Sequence, residues 1–382
     1  MKRIGHLYED ISSFENCRKA IINASKGKRR RRNVKQIIAN LDVYALKLQK
    51  ILENHEFNPS PYSIREINDG IKLKKRTITK PKFWPDQCTH HAVDQVLSKI
   101  IIKSMDYYCT GSVKGRGAAR SKKGIRNYIK RHAKKAKYVF KMDVRHYYDS
   151  IQHDKLIDIL KRKIKDPWVI DICEKIIHSY TAIALKDAIR SGMRSLKTTA
   201  KNAKEMVGIP IGIDPSRWFC NLFLERIDHE ARRFLGKTCF STRYVDDIVV
   251  IGPNKRKLHK FKLWMDEQLG LLKLKMKQNW QVFKFASRAI DFLGFKFYKD
   301  GHITIRKSIM KRIKRKARRI HSLQKINLAN ASGMVAYMGW IKGSDSQYFF
   351  NKHIKPNVSI KRLRRIIGHE GKIQRKAGTV LA

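Results

Sequence analysis

Two short apolar runs in this chain end on acids, and a folded protein does not bury such acids without a reason. Val139-Phe140-Lys141-Met142 leads into Asp143, while Phe240 to Tyr244 and Ile248 to Ile251 flank the pair Asp246-Asp247. Runs this rich in β-branched and aromatic residues read as strands, so the second region reads as two strands meeting at a two-acid tip. Burying an unpaired carboxylate costs several kcal/mol. Alone, Asp246-Asp247 fits a simple turn equally well. With Asp143 added, three carboxylates at strand ends can hold two divalent cations about 4 Å apart. Mg2+ suits such a site, because it takes one or two carboxylates together with phosphate oxygens. Catalysis there would rest on positioning and charge stabilisation and would need no covalent nucleophile.

The charge names the kind of partner. Lys and Arg number 85 against 32 Asp and Glu, a formal net charge of +53. Such an excess repels itself in a compact state and is neutralised by a polyanion, with release of counterions. Nucleic acid fits better than a membrane surface: no apolar run approaches the roughly 20 residues of a spanning helix, and lipidation signals are lacking. The six cysteines are scattered without zinc-type spacing, which suits a reducing cytoplasm. The start MKRIGHLYED has no apolar segment of secretory type.

Helical spacing is expected over Leu7–Ala24, Asn33–Asn54, Cys88–Met105, Asp154–Ile183, Ser216–Phe234 and Lys255–Leu269. Strands joined by a tight basic turn are expected around Ile71 to Ile78, and further strands near Gln281 and Phe292. Lys26 to Arg32 reads as a basic loop, and Lys186 to Lys204 as a polar loop over nucleic acid. Gly111 to Gly117 reads as a Gly-rich basic loop suited to phosphate, with Arg116 as a nucleic-acid contact. It fits no P-loop pattern. The order of elements is α+β, with a small antiparallel sheet and helices on one side.

At these residues the chain resembles the reverse transcriptases. Tyr244-Val245-Asp246-Asp247 resembles their Y-x-D-D signature, and Phe140 to Tyr148 resembles the block that carries their first catalytic aspartate. The resemblance implies a right-hand polymerase with fingers, a palm holding the small antiparallel sheet, and a helical thumb. It implies catalytic Asp143, Asp246 and Asp247, with metal ligands at Asp143, Val144, Asp246 and Asp247. Two Mg2+ ions are the implied cofactor, with Mn2+ as an alternative. Tyr148 matches the steric gate against the ribose 2′-hydroxyl. Lys74 and Arg76 match the residues that grip the triphosphate, and Ile211 and Gly212 lie in the block against the templating base. Phe292-Leu293-Gly294 resembles the primer grip, where glycine permits close approach of the primer. Lys273, Lys275 and Lys277 are candidates for the general acid.

In detail the resemblance points to the diversity-generating retroelement branch of bacteria and their phages, through Phe14 to Lys28, His90-His91, Asn279 to Gly294 and Ile305 to Ser308. In that branch an aliphatic residue, as at Ile211, replaces a glutamine and is associated with misincorporation opposite adenine. Ser216-Arg217 departs from the branch's Ser-Gln, and a guanidinium cannot accept a hydrogen bond. From Ile305 the positions Ile309, Ile313, Ala317 and Ile320 recur at helical spacing, which places Lys307, Lys311, Arg312 and Arg315 on a thumb helix that would rest on the duplex.

The expected division is an N-terminal extension and fingers over 1–136, a palm over 137–298 with a helical insertion at about 155–205, and a thumb with basic tail over 299–382. Expected partners are template RNA and its RNA/DNA duplex, dNTPs, and a small basic helical accessory protein, in the cytoplasm of a bacterial host. An antiphage-defence or other prokaryotic reverse transcriptase is the alternative, and a non-catalytic RNA-binding scaffold is the third.

Overall fold

The computed structural model describes residues 3–69, 74–196 and 206–379. Its strands, in chain order, are β1 (Tyr62–Asp69), β2 (Lys74–Lys80), β3 (Tyr138–Asp143), β4 (Ser195–Leu196), β5 (Phe240–Tyr244), β6 (Asp247–Gly252), β7 (Gln281–Lys284), β8 (Ile290–Phe292), β9 (Phe295–Phe297) and β10 (Ile303–Ile305). They form three antiparallel sheets with the orders β2-β1-β4, β5-β6-β3-β7 and β10-β9-β8.

The four-stranded sheet is covered on both faces, which corrects the expectation of helices on one side only. Phe140, Met142, Ile248 and Val250 join one core with helices such as Cys88–Ser104, Asp214–Phe223 and Lys255–Leu271. The alternate residues Val139, Val249 and Ile251 join a second core with the helices Gly117–Arg131, Lys307–His321 and Leu328–Lys342 and with the β8-β9-β10 sheet. Side chains alternate across a strand, so a sheet buried on both faces needs a continuous apolar run, which Ile248-Val249-Val250-Ile251 supplies.

Several long helices of the sequence reading are broken. Leu7–Ala24 divides at Ser13, Asn33–Asn54 at Asn40, and Ser216–Phe234 at Leu224. The 154–183 stretch becomes His153–Lys161 and Pro167–His178, followed by Ala182–Arg190. Asp166 explains the middle break. Its Oδ1 accepts from Trp168 N at 3.1 Å, capping the helix that begins at Pro167. Its Oδ2 accepts from Leu7 N at 3.1 Å and Tyr8 N at 2.9 Å, which ties the first N-terminal helix to the start of Pro167–His178. Lys186 lies within the helix Ala182–Arg190, not in a loop; 197–205 of that expected loop lie outside the described residues.

The C-terminal helices follow the sequence reading. Lys307–His321 buries Ile313, Ala317 and Ile320, and Met334, Met338 and Ile341 complete the packing. Among the described residues, no helix is long and apolar enough to cross a membrane.

Candidate active site

β3 and β6 pair in a register that sets Asp143 directly opposite Asp247. Tyr244 is the partner of Asp247 across β5 and β6, which leaves Val245 and Asp246 as a two-residue turn. Val144 N donates to Asp246 O at 3.2 Å, pinning the residue after the first acid to the second. Asp143 and the distant pair Asp246-Asp247 therefore stand at one end of one sheet.

The turn is held under strain. Val245 has φ +59°, a conformation that two-residue hairpins ordinarily give to glycine. A β-branched residue there costs on the order of 1–3 kcal/mol unless its surroundings enforce it. Two contacts do so. A Cβ at Gly111 would stand 2.5 Å from Val245 N, so the glycine lets the neighbouring loop close against the turn. Arg243 Nη1 donates to Val245 O at 2.8 Å. Arg243 is only 3% exposed. It also donates from Nε to Asp228 Oδ1 at 2.7 Å, to Asn221 Oδ1 at 3.2 Å and to Asn221 O at 3.1 Å. Asp228 holds the guanidinium charged despite its burial.

Burial first, and the neighbouring charges of Asp143 and Asp246 with it, push the Asp247 carboxyl up to about 7 against the pull of Lys141 and Arg306. Its Oδ1 is buried and accepts no hydrogen bond, and Lys141 Nζ stands 3.8 Å away. Asp143 Oδ2 lies 3.7 Å from Lys277 Nζ. Among the described residues no three acids, cysteines or histidines form a ready-made metal cluster; Asp143 and Asp247 each face a lysine instead. The donor set still suits a hard divalent cation: repelling carboxylates, one with an orphaned buried oxygen, are the groups such an ion would satisfy.

Two cavities adjoin the tip. One of about 430 Å3 is lined by Asp246, Tyr148, Ile211, Thr79, Lys186 and Lys277. The other, of about 530 Å3, runs from Asp143 and Lys141 past Gln281 and Arg288 to Asp291 and Arg306. Residues 72–297, which carry the tip and, apart from Arg306, the named lining of both cavities, match the family model described as Reverse transcriptase (RNA-dependent DNA polymerase). The chain belongs to that family.

It is 24% identical over 186 residues to the Putative COX1/OXI3 intron 2 protein of Saccharomyces cerevisiae, covering 48% of this chain and 19% of that protein. The chain thus spans about a fifth of the length of that curated relative. Among solved structures, apo telomerase from Candida tropicalis aligns with 14% identity and a TM-score of 0.49, over 84% of this chain and 65% of that one. Telomerase from Candida albicans, in complex with a fragment of telomeric RNA, aligns with 14% identity and a TM-score of 0.47, over 81% and 61%.

The expected site residues fall at several places in the fold. Asp246, Tyr148 and Ile211 line one cavity, and Asp143 opens on the other. Tyr148 OH accepts from Cys220 Sγ at 3.4 Å, and burial pushes its phenol far up. Gly212 has φ +108°, next to that cavity through Ile211. Of the three lysines named as candidate general acids, Lys277 is the one beside Asp143. On the helix Lys307–His321, Lys307, Lys311 and Arg315 are exposed and Arg312 is half-buried. Lys74 and Arg76 belong to the backbone of β2, but their side chains lie outside the described residues.

Two expectations change. Arg116 does not present its guanidinium to phosphate. It donates to Ile102 O at 3.1 Å and Cys109 O at 3.2 Å, and to Asp106 O, so it satisfies carbonyls at and beyond the end of the helix Cys88–Ser104. The glycine of the Phe292-Leu293-Gly294 hairpin serves a protein contact: a Cβ on Gly294 would meet the Trp340 ring at 2.5 Å and Ile309 Cδ1 at 2.7 Å. Phe292 is fully buried, and the half-buried Trp340 packs against the core on Phe295 with ring centroids 4.9 Å apart. The sequence reading missed Arg243 and read Gly111 as part of a phosphate loop, not as the residue that admits the turn. For Arg243 the available signal was a cation in the middle of an apolar strand.

Proposed function

We propose that this chain is an RNA-directed DNA polymerase that synthesises cDNA by two-metal nucleotidyl transfer. The observation that carries the reading is the register: Asp143 opposite Asp247 with Asp246 at the adjoining turn, one buried carboxylate oxygen left without a donor. Asp143, Asp246 and Asp247, with the backbone of Val144, would hold Mg2+, which when bound activates a primer hydroxyl and stabilises the leaving pyrophosphate. The incoming dNTP occupies the cavity of about 430 Å3. There Tyr148 stands against a 2′-hydroxyl and Ile211 and Gly212 face the nascent base pair; the resemblance assigns the phosphates to Lys74 and Arg76, whose side chains lie outside the described residues. The Lys277 ammonium beside Asp143 is the proton donor of choice for the pyrophosphate. The cations of the helix Lys307–His321 contact the duplex backbone.

The finer assignment is to the diversity-generating retroelement type, copying a dedicated RNA in a bacterial cytoplasm with a small basic helical partner. Ile211 in the cavity supports it. Arg217, the departure from that branch, is half-exposed and tied to Asp214, so its guanidinium does not enter the pocket. A second reading, service to an intron, is favoured by the similarity to the yeast intron 2 protein. Primer extension on an RNA template with Mg2+, followed by sequencing of the product, tests both. Errors concentrated at template adenines support the retroelement reading, and faithful copies support the intron reading. No extension with either Mg2+ or Mn2+ overturns the polymerase reading.

A further inference from the structure

The segment that would face the templating base is not joined to the Tyr148 gate by side-chain packing alone. It is zipped to it through the backbone. His153 N donates to Met206 O at 3.1 Å, Gly208 N to Ile151 O at 2.8 Å and Ile209 N to Tyr148 O at 2.9 Å. On the other side, Ala182 N donates to Val207 O at 2.8 Å.

One peptide in this zipper is exceptional. The carbonyl of Gly208 and the N–H of Ile209 belong to the same peptide plane. Its N–H is held by the carbonyl of the gate residue Tyr148, and its oxygen lies 2.6 Å from His153 Nε2. Gly208 has φ +98°, and a Cβ there would meet Ala182 Cβ at 2.8 Å. A glycine is required, and a glycine is also what lets a peptide plane rotate. His153 is fully buried, and its Nδ1 has no partner. Its tautomer is therefore fixed as the one that carries hydrogen on Nε2, donating to Gly208 O. The ring stacks on His178 with centroids 5.5 Å apart, which sets its plane. No substrate-facing role accounts for a buried imidazole aimed at this one carbonyl.

We infer that His153 is a positioning residue: by locking the Gly208–Ile209 peptide against rotation, it fixes the spacing between Tyr148 and Ile211 on which sugar and base selection depend. The inference rests on the polymerase reading above. It requires that loss of the imidazole loosen selection while leaving chemistry and duplex binding in place, because the other zipper bonds remain.

The test uses the full chain with His153→Ala and His153→Gln, in primer extension on an RNA template. Expected for His153→Ala is a KM for dNTP raised about tenfold, the order of one buried hydrogen bond left unmade. Incorporation of ribonucleotides relative to deoxyribonucleotides should rise about fivefold or more on the same scale. kcat and template–primer affinity should change by less than about threefold. His153→Gln, whose amide N–H can reach the same carbonyl, should restore both KM and sugar selection. A folded His153→Ala with unchanged KM and selection overturns the inference. So does a His153→Gln that folds but behaves as a selection-defective enzyme, and so does a fall in kcat alone. If His153→Ala does not fold, His153→Gln against wild type decides. An active wild type with insensitive variants sinks only this inference, whereas a wild type that extends no primer sinks the polymerase reading and this inference with it.

Discussion

Arg243→Met removes the cation that clamps the strained turn, and the structure sets the size of the effect. The guanidinium is 3% exposed and is bound to both oxygens of Asp228. Breaking one side of a buried ion pair costs about 3–5 kcal/mol, mostly because the remaining charge is stranded. Taking about 4 kcal/mol, and an unfolding entropy of about 2.1 cal/mol/K per residue over 382 residues, the melting temperature should fall by roughly 5 °C. Replacing both partners, Arg243→Met with Asp228→Leu, removes the stranded charge and should return most of that loss. Activity should not return with it. Val245 O still lacks its donor, and the φ +59° turn that presents Asp246 is no longer enforced. Thermal melts and primer extension on the single and double variants measure the two effects separately. A single variant that melts within 1 °C of wild type (about 1 kcal/mol on the same scale) would refute the reasoning. So would a double variant with restored extension.

Further outcomes follow from the same geometry. The Asp247 carboxyl sits at about 7 in the folded chain against an ordinary 3.8, so between those values the folded state binds more protons than the unfolded one. Stability in the presence of a chelator should therefore fall as pH rises from about 4 to 7, by up to about 4 kcal/mol for three units. Asp247→Asn should flatten that profile; parallel wild-type and variant profiles would contradict the assignment. Arg116→Ala should cost about 2–3 kcal/mol in a melt, because several carbonyls lose their donor, yet leave the salt dependence of RNA binding unchanged, since no phosphate contact is removed. A salt slope reduced by about 1 would restore its nucleic-acid role. Gly294→Ala must place a methyl 2.5 Å from the Trp340 ring; it should destabilise by about 2 kcal/mol or more, and a melt unchanged from wild type would show that the hairpin can shift away.

What the sequence made legible was the part governed by local pattern. The run Ile248 to Ile251 announces a strand, although its burial on both faces was not read from it, and Asp143 and Asp246-Asp247 stand out because acids are costly beside such runs. The amphipathic pattern of Lys307 to Ile320 survives intact as a helix. What escaped depends on contacts between distant segments. Arg243 looked like one of 85 cations until the fold placed Asp228 and the Val245 carbonyl around it. Gly111 and Arg116 read as a phosphate loop because glycines and cations serve that purpose too, whereas here one admits the turn and the other caps a helix. The break at Asp166-Pro167 could have been read from a capping aspartate followed by proline. Those at Asn40 and Leu224 carry no comparable local signal.

Asp246 at the turn serves chemistry and not architecture on the proposed reading. Single-turnover primer extension by Asp246→Asn, at matched template–primer saturation, tests it most directly. A shape-conserving loss of one charge at a metal site should slow extension at least a hundredfold while duplex affinity stays within about threefold. Extension by the variant at the wild-type rate would contradict it.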